Sequence, residues 1–108
     1  MRDRYSINDD DGNEIARAVL LTRDTYVHIK QLNVNPGRRG EGFGRTLLDQ
    51  VLAEADREGV EVHLFAEASS GAGHVEPGLT QVDLEAFYLR HGFRHDGDRM
   101  LRLVGAPA

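Results

Sequence analysis

Arg38, Arg39, Gly40, Gly42, Phe43, Gly44 and Arg45 form the segment of this chain best suited to chemistry. The apolar run Leu32-Asn33-Val34-Asn35-Pro36 precedes it, and the amphipathic stretch beginning Thr46-Leu47-Leu48 follows. A strand, a glycine-rich turn and a helix start in that order make a cradle for an anion. Backbone N–H groups point outward at the helix start, where the helix dipole favours negative charge. The glycines let the backbone approach a phosphate without Cβ clashes. Spacing separates this loop from two common phosphate binders. The dinucleotide fingerprint requires G-x-G-x-x-G, whereas Gly40, Gly42 and Gly44 alternate. A Walker A loop ends in Gly-Lys-Ser/Thr, but Arg45 follows Gly44. The plainer alternative is a glycine-rich turn that only starts a helix.

The run resembles the pyrophosphate loop of the GNAT superfamily of acyl-CoA-dependent N-acetyltransferases. That family's Gln/Arg-x-x-Gly-x-Gly/Ala signature is met by Arg39, Gly42 and Gly44, with Leu32, Val34 and Pro36 at the usual upstream positions. A second segment, Leu84-Glu85-Ala86-Phe87-Tyr88-Leu89-Arg90-His91-Gly92-Phe93, resembles the family's other signature, a helix with a tyrosine four residues before Gly-Phe. The two occur in the family's order.

The resemblance implies acetyl-CoA as co-substrate and a primary amine as acceptor, on a small molecule or a protein. It assigns the pyrophosphate to the backbone around Arg39, Gly40, Gly42, Phe43 and Gly44, with Arg38, Arg39 and Arg45 as charge partners. The pantetheine arm would run along the strand edge at Leu32 and Val34 as an added strand. Tyr88 would protonate the departing thiolate, a task that suits a phenol whose resting pKa is about 10. Some branches place a carboxylate six residues before the strand valine, and His28 stands there. A histidine with an ordinary pKa of about 6.5 suits removal of the amine proton, directly or through water. Glu67, His74 and Glu76 are rival bases, as is ordered water alone. Relatives often carry Asn seven residues and Ala four residues before the tyrosine, where this chain has Gln81 and Leu84. Gln81 can keep a polar contact to the cofactor, while Leu84 is expected to narrow that groove.

The elements that must position these residues read as follows. Arg4 to Asn8 and Glu14 to Thr22 are strands around an Asp-Gly turn, and Thr25 to Asn35 is a third strand. Helix one spans about Gly42 to Glu58, with Phe43, Leu47, Leu48, Val51, Leu52 and Ala55 on one face and Gly59 ending it. Val60 to Ala66 is a central strand, and Glu67 to Gly78 is a loop. Helix two covers about Thr80 to His91. Its apolar positions are Val82, Leu84, Ala86, Phe87 and Leu89, and Gly92 is its natural cap. Phe93 to Arg94 and Met100 to Val104 close the fold as a hairpin. The expectation is a GNAT-like α/β (α+β) fold of order β-β-β-α-β-α-β-β, with one mixed, mostly antiparallel sheet and two main helices in a single domain over residues 1–108. The family's usual first strand and two helices are expected to be absent, because the hairpin begins almost at Met1. That would leave the acceptor side open and favour a homodimer through strand edges such as the C-terminal hairpin.

Composition limits the alternatives. The chain has 108 residues, no cysteine and a formal net charge of -5, which disfavours nucleic-acid binding and suits a cationic partner. No apolar run is long enough for a membrane span, and Met1-Arg2-Asp3-Arg4 is unlike a signal peptide, so a cytoplasmic protein is expected. No metal site is expected. An EF-hand with its glycine at Gly12 would need an acid where Ile7 stands, and Gly92-Phe93 separates His91 from His95. The reading from a different class is a non-catalytic acyl-CoA-binding or protein-interaction module of the same fold.

Overall fold

The computed structural model describes residues 1–38, 41–66 and 80–106. Chain reversal after β1 (Arg4–Asn8) is built by Asp9. Its Oδ1 accepts the Asp11 and Asn13 N–H groups at 3.0 and 2.8 Å, and Gly12 takes a φ of 83° that other residues resist. β2 (Glu14–Thr22) returns antiparallel and pairs in turn with β3 (Tyr26–Val34). Between Val19 and Leu20 the register slips, because Val19 faces Gln31 while Leu20 faces Ile29. Lys30 is the extra residue of a β-bulge. The bulge changes which residues point inward, so Val27 and Ile29 are buried before it and Leu32 and Val34 after it.

A 3-10 turn over Pro36–Arg38 leads towards α1 (Phe43–Glu58). Leu47, Leu48, Val51, Leu52 and Ala55 are buried as the helical period requires. Phe43, assigned to the same face by sequence, is half-buried: it packs against the core and also lies under the Arg38 guanidinium, 5.2 Å from Cζ to ring centre. Gly59 ends the helix with φ 73°, and Val60 N–H closes the turn onto the Ala55 carbonyl. β4 (Glu61–Leu64) is shorter than the Val60–Ala66 run and pairs parallel to β3.

α2 (Gln81–Leu89) starts at Thr80, whose hydroxyl accepts the Asp83 N–H at 3.1 Å. Its buried residues are Leu84 and Tyr88, whereas Val82 and Leu89 are exposed. The sequence supplied more apolar residues here than the helix buries. Arg90, not Gly92, is its C-cap; Gly92 takes φ 90° two residues later, which lets Phe93 N–H reach the Tyr88 carbonyl at 3.2 Å. β5 (Arg94–Asp96) and β6 (Arg99–Arg102) then form a hairpin around Gly97-Asp98, displaced from the expected strands. Phe93 precedes β5 and is buried. The expected loop over 67–78 lies outside the described residues.

The six strands make one sheet in the order β1-β2-β3-β4-β6-β5, with only β3 and β4 parallel. This is the anticipated mixed sheet and element order. Both helices pack on one face: Arg102 of β6 donates to Asp56 of α1 at 2.7 Å and to the His91 carbonyl just after α2. One core joins Leu20, Ile29, Leu32, Leu64 and Met100 of the sheet to Leu47, Leu48, Leu84 and Tyr88 of the helices. Among the described residues no helix packs on the opposite face, which carries Tyr26, His28, His63, Phe65 and Arg99.

Candidate active site

The sheet opens where β3 and β4 stop pairing. Their ladder ends at Ile29↔Leu64, and β3 runs past it through Leu32 to Val34. The side chains of Leu32 and Val34 are buried, so the backbone of β3, and not these side chains, forms the edge there.

α1 begins at this end of the sheet. Its N-cap is Gly42, in the left-handed region at φ 85° and ψ 11°, with open space where a Cβ would stand. No side chain caps the helix and its first turn contains no acid. Among the described residues, the first N–H groups of Phe43, Gly44 and Arg45 therefore have no capping side-chain oxygen, and the acid just before the N-cap, Glu41, is paired with Arg38, which leaves the helix start open to an anion. Asn35 shapes the approach: its Oδ1 accepts the Gly37 N–H at 3.0 Å, while Arg38 N–H donates to its carbonyl. The Arg38 guanidinium donates to Glu41 at 2.9 and 3.3 Å, so in this state the arginine is held by a neighbour. Arg45 is exposed on the first turn. Arg39 and Gly40 lie outside the described residues. The cradle fits a pyrophosphate: bare N–H groups, a glycine with free space above it, and a cation on the rim.

Tyr88 projects from α2 into the core and is wholly buried. Phe87 and Phe93 pack edge-on against its ring at 5.2 and 5.5 Å. Burial pushes its hydroxyl above the ordinary phenol value, so it remains protonated at neutral pH. Gln81, on the first turn of the same helix, donates from Nε2 to the Ala66 carbonyl beyond β4 and to Glu85 at 2.8 Å. This ties the start of α2 to the open end of the sheet. Leu84 is fully buried and lies in the core, not in a groove.

His28 stands on the other face, half-buried against the Phe65 ring at 5.3 Å. Its pKa is lowered from 6.5, first by desolvation and then by the charges of Arg99, His63 and Arg23. It is thus neutral and able to accept a proton near pH 7. The structure brings Leu32, Val34, Gly42, Phe43, Gly44 and Arg45 to one end of the sheet and sets Tyr88 and His28 on opposite faces. Glu67, His74 and Glu76 lie outside the described residues. His91 and His95 go to separate partners, Asp49 at 3.5 Å and Glu85 at 3.3 Å.

Sequence reasoning missed the surroundings of His28. Tyr26 stacks on His63 at 4.1 Å, and Arg99 reaches both His63 and the Phe65 ring. The alternation of Glu61, His63 and Phe65 signalled a shared face, but the pairing of β3 with β4 was needed to set it beside His28. A cavity of about 180 Å³ between Gln81, Glu85, His95, Asp98 and Arg99 adjoins this group at the end of β4. A larger groove of about 290 Å³ lies by Arg17, Asn33 and Asn35 at the end of β3.

The family model for the acetyltransferase (GNAT) domain matches residues 2–95. The chain belongs to the GNAT acetyltransferase family. Solved structures share the fold. The anti-CRISPR protein AcrVA5 aligns with 22% identity and TM-score 0.65, over 93% of this chain and 98% of its own. The ribosomal-protein-S18-alanine N-acetyltransferase from Escherichia coli aligns with 17% identity and TM-score 0.77, over 97% and 70% of the respective chains. The GNAT family N-acetyltransferase YhbS from Escherichia coli, solved in complex with CoA, aligns with 18% identity and TM-score 0.67, over 97% and 63%. This GNAT chain thus spans nearly all of the first neighbour and about two thirds of the others. No match was found among curated proteins.

Proposed function

We propose that the chain is an N-acetyltransferase that moves an acetyl group from acetyl-CoA to a primary amine by direct attack. The observation that carries this reading is the bare start of α1 behind Gly42, beside the point where β3 outruns β4. Family membership and the CoA complex of YhbS support acyl-CoA as the ligand of that cradle. Its pyrophosphate would be held by the N–H groups of Phe43, Gly44 and Arg45, with Gly40 and the side chains of Arg38, Arg39, Arg45 and Gln81 around the remainder. The edge of β3 at Leu32 and Val34 would align the pantetheine arm.

Acetyl-CoA supplies a thioester carbonyl and a thiolate leaving group. His28 takes a proton from the attacking amine as the C–N bond forms, and Tyr88 Oη gives a proton to sulfur as the C–S bond breaks. Burial of Tyr88 keeps that proton in place until a thiolate is near. Proton transfer back to Tyr88 from solvent or from His28 restores the starting state. The chain functions as one domain and forms a homodimer, supported by the exposed Leu103 and Val104 that follow β6. Sedimentation tests this: an active monomer at high micromolar concentration would sink both the dimer and any shared site.

The complete burial of Tyr88 also favours a second reading, a CoA-binding module without turnover, because a proton donor must reach its acceptor. Following thiol release from acetyl-CoA with a panel of amines separates the two. Amine-dependent release supports the enzyme; tight CoA binding with no release for any amine, peptide lysines included, supports the module.

A further inference from the structure

His63 has both ring nitrogens engaged. It is 8% exposed, lies beside His28 in the parallel ladder, and stacks on Tyr26 with ring planes 13° apart. Arg99 Nη1 lies 3.3 Å from Nδ1, and Glu61 Oε1 lies 3.1 Å from Nε2. A guanidinium only donates, so Nδ1 must accept and Nε2–H must donate to Glu61. The ring is fixed in one tautomer and one orientation, and adding a proton to Nδ1 would break the contact with Arg99.

Arg99 is half-buried, and its only side-chain hydrogen bond among the described residues is to His63. It contrasts with Arg102, Arg38 and Arg4, each of which faces a carboxylate. Its Cζ lies 5.6 Å from the centre of the Phe65 ring, and His28 packs on that same ring. Among the described residues its guanidinium has no ion-pair partner, with Glu85 and Asp98 lining the cavity beside it, and this positive charge sits one aromatic ring away from His28.

We propose that Arg99 is a positioning residue for His28: held by His63 and Phe65, its guanidinium keeps a positive charge on the face where His28 must receive the acceptor's proton. The proposal rests on the reading of His28 as the base. Among the described residues, the other charged groups near His28 and Arg99 include Glu85 of α2 and Asp98 of the β5–β6 turn, both across the cavity that Arg99 lines. Arg23 from the β2–β3 turn and His63 from β4 act in the same sense as Arg99. Glu61 is occupied by His63, Leu21 of β2 is apolar, and Tyr26 and Lys30 belong to the strand of His28 itself. Arg99 is the largest of the charge contributions, second only to burial.

The test is an NMR titration of the histidine rings in the wild-type protein and in Arg99→Gln, run beside the pH profile of kcat/KM. The titration midpoint of His28 should rise when the charge is removed, and the acid limb of the profile should move with it. Arg99→Lys, which keeps the charge, should restore the midpoint. If Arg99→Gln does not fold, Arg99→Met provides a neutral side chain of similar reach for the same titration. A His28 midpoint that does not move in a folded neutral variant overturns the proposal. A midpoint that rises while the acid limb stays in place instead overturns His28 as the base, which separates failure of the positioning role from failure of the reading beneath it.

Discussion

The two helices of this protein begin in opposite ways. α2 starts with Thr80 in extended backbone at φ −77°, its hydroxyl bonded to Asp83 N–H, and Asp83 places a negative charge in the first turn. α1 starts with Gly42 in the left-handed region, with no side-chain cap and no acid. The first arrangement satisfies its own donors and contributes about 1 kcal/mol. The second forgoes that stabilisation and leaves its donors for something anionic. The difference teaches where to look for a ligand: at the helix whose start is least well stabilised by its own residues.

The largest expected effect comes from filling the space above Gly42. Gly42→Val forces a β-branched residue into the left-handed region at about 1–2 kcal/mol and places methyl groups where the pyrophosphate would lie. Loss of two hydrogen bonds to a charged group, at about 1.5 kcal/mol each, weakens CoA binding at least about 100-fold. Calorimetry checks this, and an unchanged CoA affinity would remove the distinction between the two helix starts. Next is Tyr88→Phe, which retains the ring packing and removes the proton. Turnover should fall about 100-fold with CoA affinity unchanged, whereas equal turnover assigns the proton to solvent.

Much of this comparison was legible in the sequence. Gly42 and Gly44, and the two signatures in their order, marked the cradle because glycine is required where the backbone turns left-handed and meets a ligand. The element order followed from alternation and helical periodicity. What escaped was tertiary. Val82 and Leu89 are apolar yet exposed, because a short helix packed at the sheet's end buries only Leu84 and Tyr88. The bulge at Lys30 depends on how β3 pairs with β2, and the ladder Tyr26↔Glu61 to Ile29↔Leu64 joins segments more than thirty residues apart, so no local pattern could place His63, Phe65 and Arg99 around His28.

A smaller effect concerns how α1 is fastened to the sheet. The Arg102 hydrogen bonds lower the Asp56 pKa below 3.8, helped by the Gly105 N–H. A depressed carboxylate contributes stability above its unfolded pKa and loses it as pH falls through the folded value. Asp56→Asn should therefore cost about 2 kcal/mol at pH 7, a figure reduced because Asp56 is 32% exposed. The gap to wild type should close as the pH drops below 3.8. Urea unfolding at both pH values measures it, and a gap independent of pH would reject the pairing as its cause. Smallest is Thr80→Ala, which should lower stability by about 1 kcal/mol without changing CoA affinity. A loss of CoA affinity there would make the N-terminal N–H groups of α2, too, part of the anion site.

The central claim is that α1, and not α2, presents its N-terminus to CoA. Titrating CoA into isotope-labelled protein and following backbone amides by NMR tests it most directly. The largest shifts are expected at Phe43, Gly44 and Arg45, with smaller ones at Val82 and Asp83 next to Gln81. Equal shifts at the two helix starts, or none at α1 when CoA is saturating, would contradict it.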